Sequence, residues 1–284
     1  MWRSLLFVPG DKPAFLEKAS GRGADALILD LEDGVAAQNK SEARALCAVA
    51  IPELSAAGAE VLVRINDSLR LAVDDLEAVA VSGLRAVVIP KAESADYVTR
   101  ISRLLEELEI ARGLGTVAII AQIESLRGLA AMDEIAGCER VTGLALGTED
   151  LAADAGMAAL PHTLYGPAQQ LVFSASRHDC IAYGFPASIA DYSDLALMED
   201  AMIRAREMGF RGAFAIHPAQ VPIMNEHFLP TAAEIAFALR VEAAFGDAAN
   251  AGTGAIAIDG KMVDRPVALR AMRTLEMAKR FGKA

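Results

Sequence analysis

The segment LALGTEDLAADAG, residues 144–156, leaves an apolar run and at once places Glu149, Asp150 and Asp154 between Gly147 and Gly156. Polar residues close apolar runs elsewhere too: Asp30, Glu32 and Asp33 in DALILDLED, Arg64 in VLVRIN, Lys91 in VVIPK, Glu124 in VAIIAQIE and His217 in AFAIH. Carboxylates facing one cavity repel by ~4 kcal/mol per close pair at an effective dielectric of about 20, so a cation should hold them together. Carboxylate and water ligands in an open site suit Mg2+, whereas zinc prefers His and Cys. Glu124 and Asp150 are the expected ligand pair. Glu149 and Asp154 read better as first-turn acids of a helix starting near Thr148, where they complement its dipole. Arg64 needs an anion: either a substrate carboxylate or enolate gripped by its planar donors, or Glu32 or Asp33 in a structural salt bridge. Lys91 is expected in an ion pair rather than as a Schiff-base lysine, and His217, before Pro218, as a structural histidine.

These residues must be positioned by elements, and short runs rich in Val, Ile and Leu supply them. Strands are expected at 3–9, 25–32, 60–66, 86–91, 117–124, 141–147, 180–186 and 211–217, with helices at 40–57, 94–112, 125–136, 164–178 and 195–208. Continuous apolar character fits parallel strands covered on both faces. Eight β/α units within residues 1–220 favour a TIM (β/α)8 barrel over a doubly wound sheet, and such a barrel carries its polar groups on one rim, at the strand C-termini. Residues 221–284 form a C-terminal helical extension and capping segment: a helix at 231–249, the link AGTGA as the one plausible hinge, a strand-like AIAI, the turn DGK and a final helix at 266–281.

Composition narrows the function classes. The net charge of −11 argues against a nucleic-acid or anionic-membrane surface, which would need clustered Lys and Arg. Cys47, Cys138 and Cys180 have no CxxC spacing and read as reduced thiols of a cytoplasmic protein. The opening MWRSLLFVPGDK is structure rather than a targeting signal, and no apolar stretch approaches the ~18 residues that crossing a bilayer requires.

In order along the chain, RSLLFVPGDKPAFLEKA, DLEDGVAAQNKSEAR, VRIN, IPKAE, QIES, GLALGTEDLAADAG, AIHPAQ and GAIAIDGKMVDRP resemble the successive motifs of the HpcH/HpaI aldolase and citrate lyase superfamily. The likeness is stronger to stand-alone proteins similar to the citrate lyase beta subunit, including malyl-CoA and citramalyl-CoA lyases. The resemblance implies a barrel of the phosphoenolpyruvate/pyruvate-binding type, with Mg2+ on Glu124 of QIES and Asp150 of GTEDL. Arg64 would touch substrate near the metal, and Glu32, Asp33, Gly147 and Thr148 would line it. Asp264 in GKMVD would transfer the proton, supplied by the C-terminal segment of a neighbouring subunit in a homotrimer or dimer of trimers. Asp264 also reads as a helix N-cap ahead of Arg265 and Pro266, which is compatible with that role.

The implied reaction is Mg2+-dependent retro-Claisen cleavage of a 3-hydroxyacyl-CoA, such as malyl-CoA or citramalyl-CoA, to acetyl-CoA and a 2-oxo acid, or the reverse condensation. The alternatives are the beta subunit of a citrate lyase acting on a citryl-acyl carrier protein, or a class II aldolase on free hydroxy-oxo acids. Coenzyme A would need a local basic patch, and Lys12 is the expected contact, with Lys18 and Arg22 four apart on one helix face. Two departures from the family pattern fall at Tyr183 and Ala213, where relatives often carry an acid and a lysine; both bear on the acceptor pocket and so on the choice of 2-oxo acid.

Overall fold

A computed structural model describes residues 1–190, 194–250 and 255–283. It divides into two compact units, Met1–Phe228 and Leu229–Ala284. In the first, β1 (Ser4–Pro9), α1 (Pro13–Lys18), β2 (Ala26–Asp30), α2 (Lys40–Ala56), β3 (Val61–Arg64), α3 (Leu69–Val79), β4 (Leu84–Ile89) and α4 (Ala95–Arg112) alternate. Then come β5 (Ala118–Ile123), α5 (Leu126–Ala136), β6 (Val141–Leu146), α6 (Thr148–Asp154), α7 (Pro161–Arg177), β7 (Ile181–Tyr183), α8 (Leu195–Met208), β8 (Ala213–Ala215) and α9 (Gln220–His227).

All eight strands pair in parallel, in the order β7-β6-β5-β4-β3-β2-β1-β8. A bridge between Tyr183 and Gly212, with Gly184 N–H donating to the Gly212 carbonyl at 2.9 Å, brings the outermost pair together and makes a barrel. This is the expected (β/α)8 architecture. Each strand buries two faces because its side chains alternate. One row, with Leu5, Ile28, Leu62, Val88, Ile120 and Phe214, packs inside the barrel. The other, with Leu29, Val63, Val87, Ile119 and Leu144, packs outward with Ile51, Leu76, Ile101 and Leu171 of the helices. Fully burying one such side chain stabilises by about 1.5–3 kcal/mol.

The inward rows turn polar at the strand C-termini. Asp30 stands two residues after Ile28, Arg64 two after Leu62, and Gln122 and Glu124 two and four after Ile120. The loops beyond are pinned by serine N-caps: Ser68 accepts from Leu71 N–H, Ser94 from Tyr97 N–H and Ser125 from Gly128 N–H.

The second unit comprises α10 (Ala232–Asn250), β9 (Ala255–Ile258), β10 (Lys261–Asp264) and α11 (Arg265–Arg280). Only AIAI was expected as a strand; KMVD in fact pairs with it antiparallel, Asp264 opposite Ala255. Left-handed backbone at Asp259 (φ 51°) and Gly260 (φ 73°) makes the two-residue turn such a hairpin needs. Ile235, Val241, Val263 and Leu275 form a core of its own. The first four residues of the AGTGA link, 251–254, lie outside the described residues, and its last, Ala255, opens β9.

Candidate active site

Two groups of polar side chains occupy the C-terminal rim. The first centres on Asp30, which is 3% exposed and accepts four hydrogen bonds. Arg64 donates two of them, Nε to Oδ1 and Nη2 to Oδ2, both at 2.7 Å; the N–H groups of Glu32 and Gly34 donate the others. Arg64 Nη1 lies 3.1 Å from Glu32 Oε2, and the guanidinium rests over the Phe7 ring, 4.6 Å from its centroid. The sequence left Arg64 between a substrate anion and a salt bridge to Glu32 or Asp33. It pairs with Glu32, but its principal partner is Asp30. Two of its five N–H groups are committed to that carboxylate, and others remain for a ligand. Lys91 completes the group, its Nζ 2.5 Å from Glu32 Oε1 and 3.7 Å from Asp33 Oδ2. Burial pushes the Glu32 carboxyl up, against the opposing pull of Arg64 and Lys91. Burial alone would lower Arg64 and Lys91; the hydrogen bonds and charges of Asp30 and Glu32 hold both above their ordinary values.

The second group centres on Glu124, 2% exposed. Lys91 N–H donates to its Oε1 at 2.6 Å, and Gln122 Nε2 donates to its Oε2. Burial drives its pKa up to about 8, the charges of Asp150 and Glu32 add to the shift, and Lys91 N–H and Arg64 oppose it. Gly147 makes room for the carboxylate: a Cβ there would lie 2.5 Å from both Glu124 Cβ and Oε2. Gln122 Oε1 and Thr148 Oγ1 are buried with no hydrogen-bond partner among the described residues, and Asp150 is exposed on the first turn of α6. A buried acid held only by neutral donors, and buried oxygens with no hydrogen-bond partner among the described residues, fit a divalent ion or an oxygen-rich ligand. Among the described residues no group of three or more His, Cys, Asp or Glu forms a metal cage, so the protein's carboxylate share would be Glu124 and Asp150. Mg2+ tolerates that, because it keeps several waters.

The other expected site residues scatter. Asp33 is exposed, and Lys12 is exposed with Asp11 as its ion partner at 3.2 Å. Lys18 and Arg22 do not share a helix face: α1 ends at Lys18, and Arg22 sits in a separate turn, because the chain must bend back into β2. Asp154 is not in the first turn of its helix but at the end of α6, where its Oδ2 accepts from Leu126 N–H at the start of α5 (2.7 Å). Glu149 is in the first turn. Exposed His217 accepts from Ala219 N–H through Nδ1. Tyr183 and Ala213 are buried inside the barrel unit. Asp264 lies in the second unit and caps α11, its Oδ1 accepting from Val267 N–H at 3.2 Å. The roles of Asp30 and Gln122 were missed; both continue inward strand rows, which is the signal that would have found them.

A parallel (β/α)8 barrel with a buried acid, a paired arginine and unsatisfied oxygens at its C-terminal rim defines a barrel of the enzyme type, with its polar groups gathered at one mouth. Residues 3–218 match the family model described as HpcH/HpaI aldolase/citrate lyase, and the chain belongs to that family. It is 34% identical over 287 residues to the citrate lyase subunit beta of Leuconostoc mesenteroides subsp. cremoris, covering 97% of this chain and 93% of that protein. It is 35% identical over 289 residues to a (3S)-malyl-CoA thioesterase of Cereibacter sphaeroides, covering 98% and 94%. Among solved structures it is similar to the protein CitE of Mycobacterium tuberculosis in complex with magnesium, acetoacetate and coenzyme A, with TM-score 0.77, 30% identity and 97% of each chain covered.

Proposed function

We propose that this chain is a Mg2+-dependent carbon–carbon lyase that cleaves a 3-hydroxyacyl-CoA, of the malyl-CoA or citramalyl-CoA class, to acetyl-CoA and a 2-oxo acid, or runs the reverse condensation. The observation that carries the reading is the acid pair Glu124 and Asp150 on the same rim as Arg64, with Glu124 hydrogen-bonded only by the neutral donors Lys91 N–H and Gln122 Nε2 among the described residues. Those two residues would hold the ion, which supplies chelation of the substrate carboxylate and hydroxyl and lowers the hydroxyl pKa. Arg64, braced by Asp30, offers its remaining N–H groups to the oxygen on which negative charge grows as the bond breaks, where stabilisation accelerates the reaction most. Thr148 and the Gly147 turn line the oxo-acid end, and Glu32 and Asp33 the opposite side. The hydroxyl gives up its proton to solvent and its oxygen forms the carbonyl of the 2-oxo acid as the bond to the thioester α-carbon breaks; that bond's electron pair becomes the enolate of the acetyl thioester, and Asp264 delivers a proton to its carbon. In condensation the same carboxylate removes the proton.

Asp264 comes from the segment 221–284 of a neighbouring subunit, which requires a homotrimer or dimer of trimers, and Lys12 meets a coenzyme A phosphate. The enzyme works in the cytoplasm; no helix among the described residues is long and apolar enough to cross a membrane. Two other readings are favoured by specific relatives. The similarity to a malyl-CoA thioesterase favours hydrolysis of the thioester, and the similarity to citrate lyase beta subunits favours a carrier-bound citryl substrate.

One assay separates them. Purified protein with Mg2+ and malyl-CoA or citramalyl-CoA should yield acetyl-CoA and a 2-oxo acid. Free CoA with the intact hydroxy acid would mark a thioesterase, and turnover confined to a citryl-acyl carrier protein would mark a complex subunit. Asp264→Asn should keep Mg2+ binding and lose turnover; unchanged turnover would remove Asp264 from the mechanism.

A further inference from the structure

Lys91 touches both groups of the rim at once, through different parts of itself. Its main-chain N–H donates to Glu124 Oε1 at 2.6 Å, while its ammonium reaches Glu32 Oε1 at 2.5 Å. Both contacts depend on a left-handed backbone, φ 45°, which a residue with a long side chain rarely adopts. Glycine would occupy that conformation without strain, so a lysine held there points to something the side chain supplies. The buried acids in ion-pair contact with Arg64 are Asp30 and Glu32. Without Lys91 this set, Arg64 included, is net negative and the Glu32 carboxylate would lean on Arg64 alone as its ion partner, competing with any incoming anion for Arg64's remaining N–H groups. With Lys91 the set is neutral. Asp33, the other acid within ion-pair distance of the ammonium, is exposed and 3.7 Å away, where solvent screens it.

We propose that Lys91 is the positioning residue that lets Arg64 accept an anionic substrate: its ammonium ties up Glu32 while its left-handed main chain holds the Glu124 carboxylate. This rests on the reading of the site as one for an oxo acid. The two functions are separable, because the first belongs to the side chain and the second to the backbone.

The test is calorimetric binding of pyruvate in the presence of Mg2+, beside titration of Mg2+ alone, for the full-length protein and the variants Lys91→Met, Lys91→Gly and Lys91→Arg. Met and Gly should each weaken pyruvate binding by about tenfold or more, while Mg2+ affinity stays within about threefold of the parent, since every variant keeps the N–H to Glu124. Arg should restore most of the pyruvate affinity. The glycine variant, matched to the backbone, keeps the test open if Met disturbs folding. Parent-like pyruvate affinity in Met or Gly, beside a binding parent, would overturn the role of Lys91 alone. Loss of Mg2+ and pyruvate affinity together, unrescued by Arg, would overturn it as mere structural damage. A parent that binds no oxo acid would bring down the functional reading and this proposal with it.

Discussion

The two sides of the barrel rim treat buried charge in opposite ways. Around Arg64, two buried acids, Asp30 and Glu32, meet two cations, and the Asp30 carboxylate is engaged four times over. The Glu124 carboxylate meets only neutral donors, and Gln122 Oε1 and Thr148 Oγ1 have no hydrogen-bond partner among the described residues. A set neutralised from within is rigid before any ligand arrives; a set left unbalanced costs stability until one does. The contrast assigns one side to hold a fixed positive group and the other to recruit a mobile one. It can be broken at either side, because removing a partner should be damaging on the first and harmless or beneficial on the second.

The largest effect is expected at Arg64. Arg64→Ala strands the Asp30 carboxylate without its ion partner in a buried position and leaves Glu32 to Lys91, and breaking a buried pair in this way costs about 3–5 kcal/mol. Urea denaturation of the metal-free protein should show it as a shifted midpoint at unchanged slope. A loss under about 1 kcal/mol would mean that the Asp30 network does not organise this side.

Glu124 should behave in the reverse sense. Its folded pKa of about 8 stands above the ordinary 4.5, so its ionisation opposes folding. The penalty is absent below about pH 4.5, grows as pH rises, and levels off above about 8, reaching roughly 3 kcal/mol at pH 7 in the metal-free protein. Glu124→Gln should therefore be more stable than the parent at pH 8 in chelator and little different at pH 5. Mg2+ should stabilise the parent and leave the variant unmoved. A variant weaker than the parent at pH 8 would show that the charge is already compensated.

How far the sequence could have announced this contrast differs between fold and site. The eight strands were legible because their Val, Ile and Leu runs are buried on both faces; β4 starts at Leu84 rather than 86 only because exposed Arg85 interrupts the run. Short elements were not, since α1 and α9 are too brief to show a helical period, and β10 is hidden by exposed Lys261 and Met262. At the site, the polar strand ends stood out, but which acid meets which cation depends on the inward rows. Asp30, in register with Ile28, is buried against Arg64, whereas Asp33 in the loop beyond is 64% exposed on its side chain. Asp150 carries no periodic signal at all; only its motif singled it out.

A smaller effect tests the crowding around Glu124. Gly147→Ala adds a methyl 2.5 Å from Glu124 Cβ and Oε2, and both neighbours are held, by the strand and by Gln122. Overpacking of this kind costs about 1–3 kcal/mol, and a displaced carboxylate should bind Mg2+ more weakly. Calorimetric titration showing parent-like affinity would mean that the side chain can move aside freely.

The smallest effect separates the two sides most sharply. Thr148 is 4% exposed and opens α6, yet its Oγ1 has no partner among the described residues. Thr148→Val keeps the branched shape and removes only the hydroxyl. An unsatisfied buried hydroxyl loses water without gaining a bond, so its removal should leave the metal-free protein as stable as before, or up to about 1 kcal/mol more stable. If the hydroxyl instead awaits a ligand oxygen, its loss should appear only when that ligand binds, as a five- to tenfold weaker pyruvate affinity, about 1 kcal/mol. Thermal denaturation without ligand and calorimetry with it read the two halves of this expectation independently. A metal-free protein destabilised by more than about 1 kcal/mol would reveal a structural bond at Thr148, and the unbalanced side of the rim would then be as internally satisfied as the side built on Asp30.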